Sequence, residues 1–484
     1  MNPSFASLVY ACGIVGLFYL DRDNSVKTSK ALWLSVAYLW IIGSRPISAW
    51  LGIVPANGTD VQLEGSPVDA VFFGILFIAA LVVLLHRGSQ ILRLLNANYP
   101  VLIYFLFCLF SVMWSNYPGV ALKRWFKAGG DLLMILVVVT DEQPVAALRR
   151  LFSRLGFILL PVSLLFIKYY PSLGRNYGVW SGEVINTGVT YDKNMLGVVA
   201  FVLSLGAFWR VLGLMQSKKS SPGRRRHLIA QGTLLVLGVR LLFLADSATS
   251  LVCFVLGAGL IWATRRQFIQ RNPAAVHWLV LSLTLIAGLM LFGAAASVTR
   301  ALGRNATLTG RTDIWANIIP LASNPWVGAG FESFWLSPRV HQRLLEVFPG
   351  LPLNEAHNGY LEVYLNLGWM GVSLIAFILI DGYRRAVKAF RREPVLGSLL
   401  LAFVFTATTY NITEAGFRML HPFWVFFLLA VIGASSFTAG VPVGASPPVD
   451  ESPGRALELP ARNARAMGLV KRTMTGKMAR RQET

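Results

Sequence analysis

The sequence predicts an all-α protein built as a bundle of membrane-spanning helices, and three observations lead to this class. The 484 residues are 55% hydrophobic and only 14% charged, and the mean hydropathy is +0.57. Soluble domains carry about 25% charged residues, so this composition cannot supply a water-exposed surface. Several apolar runs approach the roughly 20 residues that a helix needs to cross a hydrocarbon core. Lipid offers the backbone no partners, so these runs are expected to be helices, and no alternation typical of a membrane β-barrel competes with them.

The apolar runs are interpreted in chain order as spans, of which we expect eleven to thirteen. They lie near residues 4–20, 31–53, 68–86, 98–115, 128–140, 152–169, 192–214, 228–245, 248–263, 274–298, 358–380, 395–413 and 419–437. The first run has no basic leader and no small-residue cleavage site, which favours a retained span over a removed signal peptide. The first and fifth runs are the weakest, and they set the lower limit of eleven.

Basic residues give the chain a net charge of +21, and they fill segments between the apolar runs. These residues are Lys218, Lys219, Arg224, Arg225 and Arg226, then Arg265, Arg266 and Arg271, and later Arg384, Arg385, Lys388, Arg391 and Arg392. Such clusters are typical of cytoplasmic loops lying against anionic lipid, so we expect the lipid bilayer and no nucleic acid as their partner.

This orientation divides the chain into three parts. Residues 1–438 are predicted to form the transmembrane domain, and its longest polar insertion, residues 300–357, forms an extracytoplasmic loop. Residues 439–484 are rich in Pro, Ala, Arg and Lys, which indicates a disordered, basic cytoplasmic tail.

The extracytoplasmic loop opens with arginines, although the topology rule places positive charge on the inner side. Arg300, Arg304 and Arg311 precede a segment whose Ile314 and Ile318 share one helical face. A helix N-terminus beside a planar guanidinium favours binding of a phosphate or diphosphate. The alternative is that these arginines contact phospholipid headgroups.

A second extracytoplasmic segment, residues 169–194, has the same character. Arg175, Tyr191, Lys193 and Asn194 lie there among glycines. Cationic, amide and aromatic side chains suit sugars and phosphates, whereas the alternative is an ordinary aromatic belt at the membrane interface.

Histidine is scarce, with six in the chain, and His357 stands where the loop enters the next apolar run. An imidazole is well suited to accept a proton from a hydroxyl near neutral pH. The alternative is that His357 is only a helix cap or an interfacial residue.

The segment that begins at His357 resembles the signature of the bacterial O-antigen ligase and polysaccharide polymerase superfamily. His357-Asn358 is followed by nine residues and then by Gly368-Trp-Met-Gly371. Further blocks are similar to the exopolysaccharide polymerase branch of that superfamily: Leu302 to Trp315, Gly43 to Trp50, Trp114 to Pro118 and Gly188 to Gly197. The resemblance covers about residues 30–435, and the blocks stand in the expected order.

The resemblance implies a membrane glycosyltransferase at the periplasmic face of the bacterial inner membrane. Its donor would be an oligosaccharide on undecaprenyl diphosphate, its acceptor a sugar hydroxyl on a growing chain or another lipid-linked glycan, and no metal or other cofactor would take part. His357 would be the general base, while Arg311 and Arg175 would neutralise the departing diphosphate. The predicted substrate-binding residues are Arg304, Asn358, Tyr191, Lys193 and Asn194.

Three alternatives stay open beside exopolysaccharide or O-antigen polymerisation. A lipid A core O-antigen ligase of lipopolysaccharide synthesis is disfavoured by Val372-Ser373, where ligases of the superfamily often show two threonines. A polysaccharide flippase or another transporter should have ionisable residues in mid-span, and Arg45, Arg240 and Asp246 lie nearer to span ends. A non-enzymatic membrane scaffold is the third alternative. A chain-length regulator or a flippase is a candidate partner.

Overall fold

The computed structural model describes residues 2–23, 26–53, 66–177, 182–216, 223–290, 311–349 and 353–437. The predicted site residue Arg304 and the predicted tail, residues 439–484, lie outside the described residues.

Helices account for nearly all regular structure of the described residues, which confirms the predicted all-α class. In chain order the α-helices are α1 (Pro3–Leu20), α2 (Leu32–Ile42), α3 (Ile47–Trp50), α4 (Pro67–Leu85), α5 (Gly88–Ala97), α6 (Tyr99–Phe110), α7 (Pro118–Val139), α8 (Pro144–Tyr169), α9 (Pro171–Gly174), α10 (Lys193–Gln216), α11 (Arg224–Ala245), α12 (Ala248–Ala263), α13 (Gln267–Arg271), α14 (Pro273–Gly288), α15 (Arg311–Ile318), α16 (Pro338–Val347), α17 (Gly359–Arg392), α18 (Pro394–Thr413) and α19 (Pro422–Phe437). Short 3-10 helices cover Ser111–Trp114, Ile319–Leu321 and Phe334–Leu336.

Proline and capping side chains set many of the helix boundaries. Helix α4 begins at Pro67, and Ser66 and Asp69 form a capping box in front of it. Pro144 and Pro394 likewise open α8 and α18. Proline is favoured in the first turn because the backbone N–H that it lacks would have no partner there. The apolar runs are therefore divided into separate helices at positions that the sequence itself marks.

Each of the predicted apolar runs falls on a helix of the described residues, but the helices differ in length. Seven are long and apolar enough to cross a membrane, or eight if the bent pair Gln90–Ala97 and Tyr99–Trp114 is one span. Other helices are shorter. Helix α2 has 11 residues and a length of about 16 Å, which is less than the roughly 30 Å thickness of the hydrocarbon core. Within the described residues, seven or eight helices therefore meet this length criterion, and four further apolar helices of 10–17 residues fall short of it.

Helices α10 and α18 form the centre of the bundle. In the most apolar part of each helix, 78% of α10 and 83% of α18 is buried, compared with 11% of α1. Phe152 on α8 contacts Phe403 on α18 and Phe426 on α19 at ring-centroid distances of 6.0 and 5.0 Å, and Phe403 and Phe426 lie 5.8 Å from each other. Helices α1 and α4 leave most of their apolar surface uncovered by protein, so their side chains are available to lipid.

Helix α17 is interrupted at Gly368, where φ is +63° and ψ is −166°. The interruption leaves backbone N–H and C=O groups of α17 without partners in the helix. The backbone of segment 325–330 forms hydrogen bonds with them. Trp369 N donates to Pro325 O at 2.8 Å, and Gly330 N donates to Asn366 O at 2.8 Å. A Cβ on Gly368 would lie 2.2 Å from the Trp326 carbonyl carbon. Only glycine fits this positive φ and this close backbone contact, so Gly368 fixes the loop on the helix.

The described part of the loop folds on a small core of its own. The helix predicted after Arg311 is present as α15, and its Ile314 and Ile318 are buried as the pattern indicates. They pack in one cluster with Phe334, Trp335, Val340, Leu344, Ala356 and Leu365. The loop is therefore a packed element over the end of α17.

The second predicted segment is a hairpin held by Arg45. Strand β1 (Arg175–Tyr177) pairs antiparallel with β2 (Val184–Asn186). The Arg45 guanidinium donates to Leu173 O and, at 3.1 Å, to Thr190 O. Arg45 thus anchors the backbone on both sides of the hairpin.

Candidate functional site

Four distant parts of the chain meet at Glu414, the residue that ends α18. The Glu414 side chain is only 4% exposed, and its Oε1 lies 2.6 Å from Arg311 Nη2 at the start of α15. Its Oε2 accepts a hydrogen bond from Asn194 Nδ2 at 3.3 Å and lies 3.5 Å from His357 Nδ1. Three of the predicted site residues are therefore brought together by a carboxylate that the sequence analysis did not select.

A second carboxylate, Glu355, continues this ionic network. Its Oε1 lies 2.8 Å from His357 Nδ1, and its Oε2 accepts a hydrogen bond from Arg418 Nη1 at 2.8 Å. The distance to His357 is that of an ion pair, although the imidazole N–H is not aligned for a hydrogen bond. We call Arg311, Glu355, His357, Glu414 and Arg418 the His357 network. It contains two carboxylates, two guanidinium groups and one imidazole.

The backbone around His357 is fixed from both sides. His357 has a positive φ of +48°, a conformation that costs energy outside glycine and persists where the surroundings impose it. Before it, Ala356 O accepts a hydrogen bond from Trp315 Nε1 at 2.7 Å. After it, Gly359 N donates to Glu414 O at 2.9 Å. The imidazole is thereby held beside the two carboxylates.

Asn358 has a structural role in this arrangement. Its Oδ1 accepts a hydrogen bond from Leu361 N at 3.0 Å, which caps α17, and its Nδ2 donates to Ile412 O at 3.0 Å. Both ends of the amide are engaged by the protein. The prediction that Asn358 binds substrate has no support from these contacts.

The network decides the charge of His357. Burial by itself would lower the pKa of His357, but Glu355 and Glu414 outweigh it and raise that pKa to about 10. Burial would raise the pKa of Glu355, whereas His357 and Arg418 bring it down to about 2. The imidazole is therefore a cation at neutral pH while both carboxylates remain in contact with it.

A small cavity of about 40 Å³ adjoins the network. It is lined by Tyr191, Asp192, Asn194, Met195, Glu355, Tyr410, Glu414, Ala415, Arg418, Met419, Leu420 and His421. One water occupies about 30 Å³ of liquid, so this space suits water and is too small for a sugar ring.

His421 is the second histidine at this cavity, and its environment differs from that of His357. Burial lowers the pKa of His421 to about 4, with Arg418 acting in the same direction and Glu355 opposing both. His421 is thus neutral at pH 7. The sequence analysis missed it together with Glu414 and Arg418. All three lie in the short segment between α18 and α19, and this grouping of titratable residues was the available signal.

The remaining predicted residues lie around the network rather than in it. Tyr191 lines the cavity. Lys193 Nζ lies 3.6 Å from Asp246 Oδ2. Arg175 Nε donates to Ile167 O at 2.8 Å. Among the contacts of the described residues, none joins Arg175 or Lys193 to Glu414.

The resemblance implies a reaction without metal, yet the His357 network contains a possible metal-ligand group. Glu355, His357 and Glu414 place donor atoms within 4.8 Å of one another, a donor set of a kind that binds divalent cations. The sequence did not show this group because Glu414 is distant from the other two. Both carboxylates, however, already contact guanidinium groups, Arg311 and Arg418. These positive charges oppose a bound cation, so the residues fit an ion-pair network better than a metal site.

The helices and this buried ionic site define a class, a multi-pass membrane protein with a polar centre at one end of the bundle. Residues 233–378 match the O-antigen ligase family, a segment that includes Arg311, His357 and the Gly368 interruption. The chain is also 24% identical over 300 residues to the exopolysaccharide production protein ExoQ of Rhizobium meliloti (strain 1021), which is 60% of this chain and 65% of that protein. It thus spans slightly less than two thirds of this relative. The chain is thus similar to the O-antigen ligase family over this segment and to an exopolysaccharide production protein, which supports the resemblance found in the sequence.

Proposed function

We propose that the protein is a membrane glycosyltransferase that moves an oligosaccharide from undecaprenyl diphosphate to a sugar hydroxyl, in exopolysaccharide or O-antigen polymerisation. The convergence of Arg311, His357 and Glu414 at one buried point carries the proposal, because two of these residues lie inside the matched family segment. The site would face the periplasm from the bacterial inner membrane, and the donor and the acceptor glycan would be its partners.

Arg311 is the proposed diphosphate ligand. Its planar guanidinium suits bidentate contact with phosphate oxygens, and the N-terminus of α15 adds backbone donors at the same place. In the free protein Glu414 holds this guanidinium at 2.6 Å. An incoming diphosphate therefore has to compete with Glu414 for Arg311.

His357 is the proposed general base. In the reaction the acceptor oxygen attacks the anomeric carbon, the bond to the diphosphate oxygen breaks, and undecaprenyl diphosphate leaves with the electron pair. The proton of the acceptor hydroxyl passes to the imidazole, through Nε2, since Nδ1 faces the carboxylates. The imidazole must be neutral for this step. Of the two contacts between His357 and a carboxylate, the one to Glu414 is longer, at 3.5 Å. The substrate has to separate this pair when it enters the site.

The contacts of Arg45 and Asp246 bear on the alternative of a polysaccharide flippase. Arg45, an earlier candidate for a transport residue, is engaged by backbone carbonyls, and Asp246 pairs with Lys193 at the end of α11. Arg45 thus has a structural role and Asp246 lies in an exposed surface pair, so neither residue supports the flippase alternative. The lipid A core ligase alternative shares the site and differs only in the acceptor.

The deciding experiment is transfer by the purified full chain in lipid nanodiscs. Donor glycan on undecaprenyl diphosphate is supplied alone or with lipid A core, and products are resolved by mass spectrometry. We expect chains of two or more repeat units from the donor alone. Product formed only with lipid A core would identify a ligase, and unchanged donor under both conditions would contradict glycosyl transfer.

A further inference from the structure

A second polar cavity lies at the opposite end of the bundle from the His357 network. Helix α10 connects the two sites, with Asn194 at the network and Gln216 at the cavity, and its 24 residues extend about 36 Å. The cavity has a volume of about 520 Å³. It is lined by Arg149, Trp209, Arg210, Gly213, Leu214, Gln216, Arg265, Gln270, Glu393 and Val395.

The lining carries more positive than negative charge. Three arginines face one carboxylate, Glu393. Arg210 is already neutralised, because its two terminal nitrogens each lie 3.0 Å from an oxygen of Asp21. The remaining excess of positive charge comes from Arg149 and Arg265. The adjacent loops at this end of the bundle are basic as well, so an anion is attracted there.

Arg265 lacks the acceptors that a buried guanidinium requires. Its Nε and Nη2 are buried and have no hydrogen-bond partner among the described residues, and Nη1 reaches Gln216 Oε1 at 3.3 Å. Burial lowers the pKa of Arg265, and Glu393 raises it only in part. A buried charged donor without an acceptor is costly. An oxyanion in the cavity would supply the acceptors that the protein does not.

The side chain of Trp209, which is 2% exposed, forms a rigid wall of the cavity. Its Nε1 donates to Val395 O at 2.6 Å, which fixes the indole. The guanidinium carbon of Arg149 lies 5.7 Å from the centre of this ring. A flat apolar ring beside unpaired cationic donors is suited to a ligand that is apolar on one side and charged on the other.

We propose that this cavity binds the phosphate of an anionic membrane-lipid headgroup. The volume falls within the roughly 300–1,000 Å³ of ligand sites, and arginine is the side chain best matched to phosphate oxygens. Basic pockets between membrane helices on the side of the basic loops bind such headgroups by this chemistry. Free phosphate has the same chemistry, and the test below separates the two sources.

The test counts retained lipids by native mass spectrometry. The full chain is reconstituted in phosphatidylcholine nanodiscs that contain a minor fraction of phosphatidylglycerol or cardiolipin, and is then released into mild detergent. The parental protein should retain anionic lipid. Arg265→Gln and Arg149→Gln should each lower its occupancy by roughly ten-fold, the loss expected for a hydrogen bond to a charged group.

The matched control is Arg271→Gln, which removes the same charge from an exposed position on α13 at the same end. It should retain the lipid as the parental protein does. Equal retention by all variants, or equal loss in Arg271→Gln, would overturn the proposal. Displacement of the lipid by millimolar inorganic phosphate would assign the site to a soluble anion instead. Size-exclusion profiles establish that the variants are folded, and no step of the measurement depends on glycosyl transfer.

Discussion

At one end of the bundle Arg311 and Arg418 lie 2.6 and 2.8 Å from carboxylate oxygens, whereas at the other end Arg265 leaves two buried nitrogens without an acceptor. Both arginines of the His357 network are thus paired with carboxylates, and an anionic substrate that binds them has to displace a carboxylate. The basic cavity is incomplete, and an anion can enter it without such displacement. Arginines that already have partners in the protein suit a reaction site, from which the product has to leave in each cycle. Arginines without partners suit a site that keeps its ligand bound.

The largest effect on this contrast between the two ends of the bundle is expected when the imidazole of His357 is removed from the network. We expect His357→Ala to lower the rate of polymer formation by about 10²- to 10⁴-fold, the usual effect of losing a general base. The protein should still insert and bind donor, which is measured by donor co-purification and by the amount of accumulated lipid-linked repeat units. His341→Ala is the control, because His341 is exposed on α16. Parental activity in His357→Ala would remove this residue from the mechanism.

A second test changes the shape of a paired arginine but keeps its charge. Arg311→Lys should raise the donor KM and lower kcat/KM by roughly 10- to 100-fold, because lysine lacks the planar fork that binds two phosphate oxygens. Initial rates at several donor concentrations separate the two parameters. Arg339→Lys, at an exposed position of α16, should behave as the parental protein. Unchanged donor KM in Arg311→Lys would indicate that Arg311 only supports Glu414.

The pH dependence of the rate tests whether the network must open. The pKa of His357 is raised to about 10 by Glu355 and Glu414, so the neutral, proton-accepting form increases as the pH rises. We expect kcat/KM to increase about ten-fold per pH unit through the neutral range and to level off near the pKa of the base.

Removal of one carboxylate should shift this profile in a defined direction. Glu414→Gln takes away one cause of the raised His357 pKa, so the plateau should begin at a lower pH than in the parental protein. Glu346→Gln, at an exposed position of α16, should leave the profile unchanged. A rate that is flat or falls between pH 7 and 9 in the parental protein would mean that the imidazolium is the active form.

The smallest expected effect concerns metal. Because Glu355 and Glu414 are already countered by Arg418 and Arg311, we expect turnover to be unchanged by EDTA. The assay compares initial rates before and after chelation and dialysis, with Mg²⁺ and Zn²⁺ added back separately. Activity lost to EDTA and restored by one metal would show that the three donor atoms act as a metal site and that the network is not complete by itself.

The sequence alone was sufficient for the class of structure and for part of the site. Lipid leaves the backbone no alternative to the helix, and within the described residues each predicted apolar run falls on a helix. The buried face of α15, with Ile314 and Ile318, followed from helical periodicity. Arg311 was selected because positive charge is unusual on the extracytoplasmic side, and His357 was selected because its segment resembles the superfamily signature.

Tertiary structure decided the partners of those residues. Glu414 and Arg418 lie in a short segment between two apolar runs, and nothing local to that segment predicts contact with Arg311, about a hundred positions earlier in the chain. The interruption of α17 at Gly368 likewise could not be predicted from α17 alone. Glycine is needed there because the backbone of segment 325–330 lies too close for a Cβ. The charge of His357 depends on which carboxylates lie within a few ångströms, and Coulomb energies depend on distance in space rather than on separation along the chain.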